Sequence, residues 1–175
     1  MKRVLIGLLV ILLLVTTVAC GTPDSYVLTE DTFFLVMTNI VYYPEQYLGK
    51  DIAFDSFTYR LTDVEGKTYT CAVRKCSAGY GCTCGKDTVI GFILDYEGVI
   101  PEPKNQGADT VEKTWIHTVG QLANTEKTYI SIYAYDSDGN IDYDREPETV
   151  YFYTLQVKEM ELIQDYSGLA YYVTK

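Results

Sequence analysis

The sequence predicts a mainly β fold, a small antiparallel β-barrel preceded by an N-terminal amphipathic helix. Apolar residues repeat at helical spacing over residues 30–42, then change to a period of two from Asp51 onward. Five or six β-rich segments follow, separated by stretches rich in Gly, Pro, Asn and Asp. Seventeen tyrosines against only five prolines, with many Thr, Val and Ile, favour strands over helices.

Each element has its own local argument. Leu28-Thr29-Glu30-Asp31-Thr32-Phe33 reads as a helix start: Thr29 can cap, Glu30 and Asp31 suit the positive helix end, and Leu28 can staple to Phe33. Phe33, Val36, Met37 and Ile40 then share one helix face. Pro44 opens a further turn and Gly49 closes it. In the first strand Ile52 and Phe54 alternate in one phase and Phe57 and Tyr59 in the other, so a bulge is expected between Asp55 and Ser56. Residues 67–74 alternate again, with Tyr69, Cys71 and Val73 on one face, and residues 88–96 are almost continuously apolar, as in a central strand. Residues 98–111 form a loop, residues 114–122 and 127–135 two more strands, residues 136–148 a charged turn, and residues 149–163 a long last strand. These strands suit a small barrel packed as one domain.

The N-terminus has a different character. Met1-Lys2-Arg3 is a short positive start, residues 4–15 are apolar, and Thr16-Thr17-Val18-Ala19-Cys20-Gly21 closes the run, the pattern of a secretory signal peptide. A membrane span needs about 20 apolar residues, more than this run supplies. The segment resembles a bacterial lipoprotein signal, with Ala19 before Cys20 and Gly21 after it. That resemblance implies a cleaved signal peptide over residues 1–19, lipid (palmitate) attachment at Cys20, a lipidated tether over residues 20–28 and a single domain over residues 29–175. It places the domain on the extracytoplasmic face of the cell membrane.

The chain carries a net charge of −10, and loss of Lys2 and Arg3 with the signal leaves 12 basic against 24 acidic residues. Nucleic-acid binding is thereby disfavoured, because it begins with cations neutralising phosphates. Electrostatic docking onto anionic lipid is disfavoured for the same reason. The expected membrane link is therefore covalent, and two acyl chains suffice for stable anchoring.

Tyr43-Pro44-Glu45-Gln46-Tyr47-Leu48-Gly49-Lys50-Asp51-Ile52, Phe57-Thr58-Tyr59, Val73-Arg74-Lys75-Cys76, Ile90-Gly91-Phe92-Ile93 and Thr114-Trp115-Ile116 with Gly120 follow one another in an order that carries a resemblance. So do the stretch 155–163 and Tyr171-Tyr172-Val173. Together they are similar to the C-terminal OB-like domain of a family of uncharacterised bacterial membrane proteins whose genes lie beside a predicted permease linked to metal homeostasis. The chain departs from that pattern at Ser56, where glycine is usual, in the insertion 77–86 and in a longer stretch 129–148. The resemblance implies an OB-like fold and a permease as neighbour, and fold alone assigns no activity.

With Cys20 lipidated, Cys71, Cys76, Cys82 and Cys84 remain, all within 14 residues. Thiolates this close can hold a soft tetrahedral metal such as zinc, although the C-x4-C-x5-C-x-C spacing lacks C-x-x-C knuckles. Two disulfides are the structural alternative outside the cytoplasm, with three possible pairings. A redox role lacks the C-x-x-C that opens a helix.

His117, the single histidine, sits between Trp115 and Val119 on one strand face and reads as a hydrogen-bonded structural residue more than a ligand. Asp136-Ser137-Asp138-Gly139-Asn140-Ile141-Asp142 is half of a calcium loop, but alignment on Gly139 puts Ala134 and Arg145 at ligand positions. It therefore reads as a solvated turn. Tyr129, Tyr133, Tyr135, Tyr151 and Tyr153 are candidates for an aromatic surface on neighbouring strands. One histidine, no G-x-S-x-G elbow and no phosphate-cradling glycine loop argue against an enzyme.

The sequence thus leads to a lipid-anchored, non-enzymatic binding domain, accessory to a membrane permease in metal handling, with zinc the one cofactor considered. The alternative is a surface module that binds protein or peptide through its tyrosine-rich sheet, with the cysteine loop as a disulfide brace.

Overall fold

A computed structural model describes residues 24–76, 88–106, 108, 110–133 and 142–173. The elements are β1 (Ser25–Leu28), α1 (Phe33–Tyr42), a 3-10 turn (Pro44–Gln46), β2 (Asp51–Thr62), β3 (Thr68–Cys76), β4 (Thr88–Asp95), β5 (Trp115–Leu122), β6 (Thr128–Ile132), β7 (Glu148–Leu162) and β8 (Tyr172–Val173). Cys20, Cys82, Cys84 and Tyr135 lie outside the described residues, as does the calcium-like stretch 136–141.

Five strands close a ring in the order β2-β5-β7-β4-β3, with β3 pairing back onto β2. The sheet is mixed: β4 and β7 run parallel, as do β1 with β2 and β3 with β8. The wholly antiparallel sheet expected from sequence is therefore corrected. A closed ring with an odd number of strands cannot alternate direction all the way round, so at least one neighbouring pair must be parallel. Here that pair is β4 and β7, joined through the long excursion that contains β5 and β6.

The bulge expected in β2 is absent, because its pairing with β3 and with β5 runs in one unbroken register. The change of phase has another cause, burial on both faces. Ile52, Phe54, Ser56 and Thr58 face one way and are buried, while Phe57 and Leu61 face the other and are buried too. The register shift that does occur lies in β5 against β7, between Val119 and Gly120. A Cβ on Gly120 would lie 2.6 Å from the Gln156 carbonyl oxygen, so only glycine fits there.

Two apolar clusters occupy the two faces. The first gathers Ile52, Phe54, Phe92, Ile116 and Leu155 beneath Phe33, Met37 and Ile40 of α1. The second gathers Phe57, Leu61, Cys71, Val73 and Trp115 with Ile130 and Phe152, and residues 163–171 lie over it. Tyr171 stacks on Phe57 with centroids 5.6 Å apart, and Tyr166 stacks on Trp115 at 6.4 Å.

Side chains satisfy backbone groups where strands part. Beyond Phe57, β2 leaves β5, and the Gln106 amide takes over at Arg60: Arg60 N donates to Oε1 at 2.8 Å and Nε2 donates to the Arg60 oxygen at 2.6 Å. In the β2–β3 turn, Asp63 Oδ1 accepts from the amides of Glu65 and Lys67, and Gly66 takes a φ of +86° that a side chain would resist.

Candidate functional site

Cys71 and Cys76 both lie on β3, whose registers with β2 and β4 are unbroken. Five residues apart on an alternating strand, they point to opposite faces and sit about 16 Å apart. A disulfide requires Cα atoms within about 7 Å, so these two cannot bridge, and two of the three pairings remain. Cys71 is a free thiol in the second apolar cluster, and burial pushes its pKa up to about 12. A thiol so reluctant to ionise is a poor nucleophile. Cys76 ends β3, also buried, paired with Val173 of β8. Among the described residues no three His, Cys, Asp or Glu side chains gather closely enough to hold a metal ion.

Two residues after each of Ala72 and Phe54 along their strands, Arg74 and Ser56 bring polarity to the face of the first cluster. Arg74 is 1% exposed. Its Nη1 donates to the Asp55 carbonyl oxygen at 3.1 Å, and Nη2 donates to the Glu30 carboxylate and to the Ala170 carbonyl oxygen. The guanidinium carbon lies 5.0 Å from the Trp115 ring centre and 5.7 Å from that of Phe33. Ser56, Thr58 and Thr118 add three buried hydroxyls with no hydrogen-bond partner among the described residues. This is a clasp between the two ends of the domain, and the sequence reading passed over it. Its signal was a charged residue in phase with buried Ala72 on an alternating strand.

His117 is half-exposed, with its Nδ1 donating to Asp55 Oδ1 at 2.6 Å, and Glu161 is its neighbour on β7. Asp51, on the same strand phase, binds Lys158 and Gln121, and these hydrogen bonds, Lys158 first, hold its pKa below the ordinary 3.8.

The tyrosines divide. Tyr129 and Tyr151 pair across β6 and β7 with centroids 6.1 Å apart and are exposed, with Lys127 Nζ 4.4 Å over the Tyr151 ring. Tyr153 is buried beneath α1 instead, donating to the Val41 oxygen at 3.4 Å. Tyr133 meets Tyr143 edge to face at 5.0 Å.

That last pair walls a cleft of about 270 Å³ between the β2–β3 turn and the end of β6. Leu61, Val64 and Ile132 supply its apolar surface and Asp63 a carboxylate. Val64 N donates to the Ser131 oxygen at 2.9 Å, which fixes the turn against β6. Sequence reasoning marked Tyr133 alone among these, since the cleft arises where two segments about seventy residues apart meet.

A family model, the DUF1980 C-terminal domain, matches residues 18–154. No curated protein and no solved structure matches the chain. The matched span takes in β1 through β6, the first seven residues of β7, Arg74 and the cleft, and the chain belongs to the DUF1980 C-terminal domain family.

Proposed function

We propose that this chain is a lipid-anchored, non-enzymatic binding domain on the extracytoplasmic face of the membrane. Its ring is an OB-like barrel, and its cleft grips an extended segment of a partner protein. By family resemblance that partner is a membrane permease concerned with metal handling. The observation carrying this reading is the cleft's position, between the turn joining the first two ring strands and the β6 ribbon inserted before the last. OB folds bind ligands with the corresponding loops. The ring order and its single parallel pair fit such a Greek-key barrel. Acidic charge argues against a nucleic acid as ligand. The lining of Leu61, Val64 and Ile132 with an aromatic pair suits apolar side chains of a peptide.

A photo-crosslinking residue in place of Tyr143, in native membranes, is expected to capture the permease, while the same probe at Glu159 is not. Equal capture at both positions, or none, would overturn the cleft as the binding site. Palmitate labelling tests the anchor: Cys20→Ala is expected to abolish it. The cysteine question is separate. Zinc on the cysteine cluster and a disulfide brace are its two answers. Elemental analysis with mass spectrometry of unreduced protein distinguishes bound zinc from a disulfide brace.

A further inference from the structure

Helix α1 carries no charged side chain, where a surface helix of a globular domain normally shows a charged and polar side. Its only polar side chains, Thr38 and Asn39, are half-buried and already bonded, Thr38 Oγ1 donating to the Phe34 oxygen at 2.8 Å and Asn39 bonding to Tyr47. Its inner face, Phe33, Met37 and Ile40, is buried in the first cluster. On the outside Leu35 is 60% exposed and Tyr42, seven residues on and on the same face, is 71% exposed. Residues 33–43 contain no charged residue in a chain of net charge −10. Exposed Tyr43, next in the chain, adds to this surface. An apolar area from which acids are missing, on a protein otherwise rich in them, marks an interaction surface.

Where the chain enters the domain identifies the occupant. Only residues 21–24 separate Cys20 from β1, a span of at most about 17 Å even when fully extended. The entry point lies beside this surface. Tyr26 packs on Tyr47 with centroids 4.7 Å apart, Asp51 N donates to the Asp24 oxygen at 3.2 Å, and Tyr47 directly follows the 3-10 turn that leaves Tyr42 and Tyr43. A lipid on Cys20 would therefore hold the bilayer within reach of these side chains at high effective concentration.

We propose that the outer face of α1, with Leu35, Tyr42 and Tyr43 at its centre, rests on the lipid bilayer and fixes the orientation of the domain. This inference rests on the lipid-anchor reading above. Among the described residues no helix is long and apolar enough to cross a membrane, so α1 lies in the interface. Tyrosines suit that depth, with the ring in the acyl boundary and the hydroxyl among headgroups. The contact is apolar, without a basic residue on α1, so neither salt nor anionic lipid strengthens it.

The test uses mature protein purified from membranes and reconstituted into phosphatidylcholine vesicles, with and without phosphatidylglycerol, that contain a phospholipid bearing a photoreactive acyl chain. Intact mass first reports whether Cys20 is acylated, and an unacylated chain overturns the anchor and this inference together. With the anchor present, lipid adducts are expected at residues 33–43 and not at Tyr129 or Tyr151, at equal yield in low and high salt. In the Leu35→Asp/Tyr42→Asp variant, still acylated and bound to vesicles, adducts at residues 33–43 are expected to fall at least fivefold. Adducts spread evenly over the surface, or unchanged in that variant, overturn the inference and leave the anchor intact. Residues 33–43 crosslinking to protein instead of lipid in native membranes also overturns it.

Discussion

Gly91 has the least room of the described glycines, and replacing it with alanine tests the strand packing directly. A Cβ at Gly91 would lie 2.0 Å from the Ala72 carbonyl oxygen and 2.8 Å from Val73 Cα, where ordinary contact begins at 3.4 Å. Relief therefore requires β3 and β4 to part by about 1.4 Å, against a strand spacing of about 4.8 Å. Neither strand can yield freely, since β3 is also paired with β2 and β4 with β7. Overpacking costs about 1–3 kcal/mol. Two ladder hydrogen bonds stretched beyond use beside Val73 and Gly91 add about 1 kcal/mol each. The sum, about 3–5 kcal/mol, lowers the melting temperature of a domain this size by roughly 6–20 °C. Thermal unfolding followed by circular dichroism measures it. Gly168→Ala is the control, because nothing lies within 4 Å of its Cβ, and a shift of no more than about 0.5 kcal/mol is expected. A Gly91→Ala protein that unfolds within about 1 kcal/mol of the parent would refute the packing of β3 on β4.

Other outcomes follow from single side chains. Leu155 is fully buried between Leu94 and Leu122, so Leu155→Ala is expected to cost about 3–5 kcal/mol in urea unfolding. The Cys71 thiol, raised by burial to about 12 from 9.0, is expected to resist maleimide at pH 8 until the protein unfolds. A folded-state pKa above the unfolded one gives stability that is complete below pH 9 and lost as pH rises towards 12. Cys71→Val should remove that part of the alkaline loss in a urea series, leaving the loss from Tyr47 and Tyr153, whose hydroxyls burial also raises. Lys158→Met, by deleting the main hydrogen bond on Asp51, is expected to return that carboxyl towards 3.8 in an NMR titration. The single tryptophan is fully buried at Trp115, so native emission should be blue-shifted and little quenched by acrylamide.

The larger strands were legible because alternation and turn residues are local signals. The alternation at residues 67–74, the apolar run at residues 88–96 and the long last strand at residues 149–163 match the structure to within a residue or two. β1 and β8 were not legible: each is short and pairs in parallel with a strand distant in sequence, which leaves no local trace. The phase change at Asp55-Ser56 suggested a bulge because local pattern cannot tell a bulge from a strand buried on both faces. The separation of Cys71 from Cys76 was readable, since a five-residue spacing on an alternating strand already places them on opposite faces. The cleft and the Arg74 clasp were not, because Val64 meets Ser131, and Glu30 meets Arg74 and Ala170, only after the chain has folded.

The Arg74 clasp bears on how such a chain matures. A polypeptide delivered N-terminus first presents its arginine long before residue 170 emerges, and before β7 arrives to join β4 to β5. Until then both of those strands have bare edges, and the cation lacks one of its final acceptors. Assembly must therefore await nearly the whole length, so a copy cut short before residue 148 would keep two open edges and be prone to aggregate.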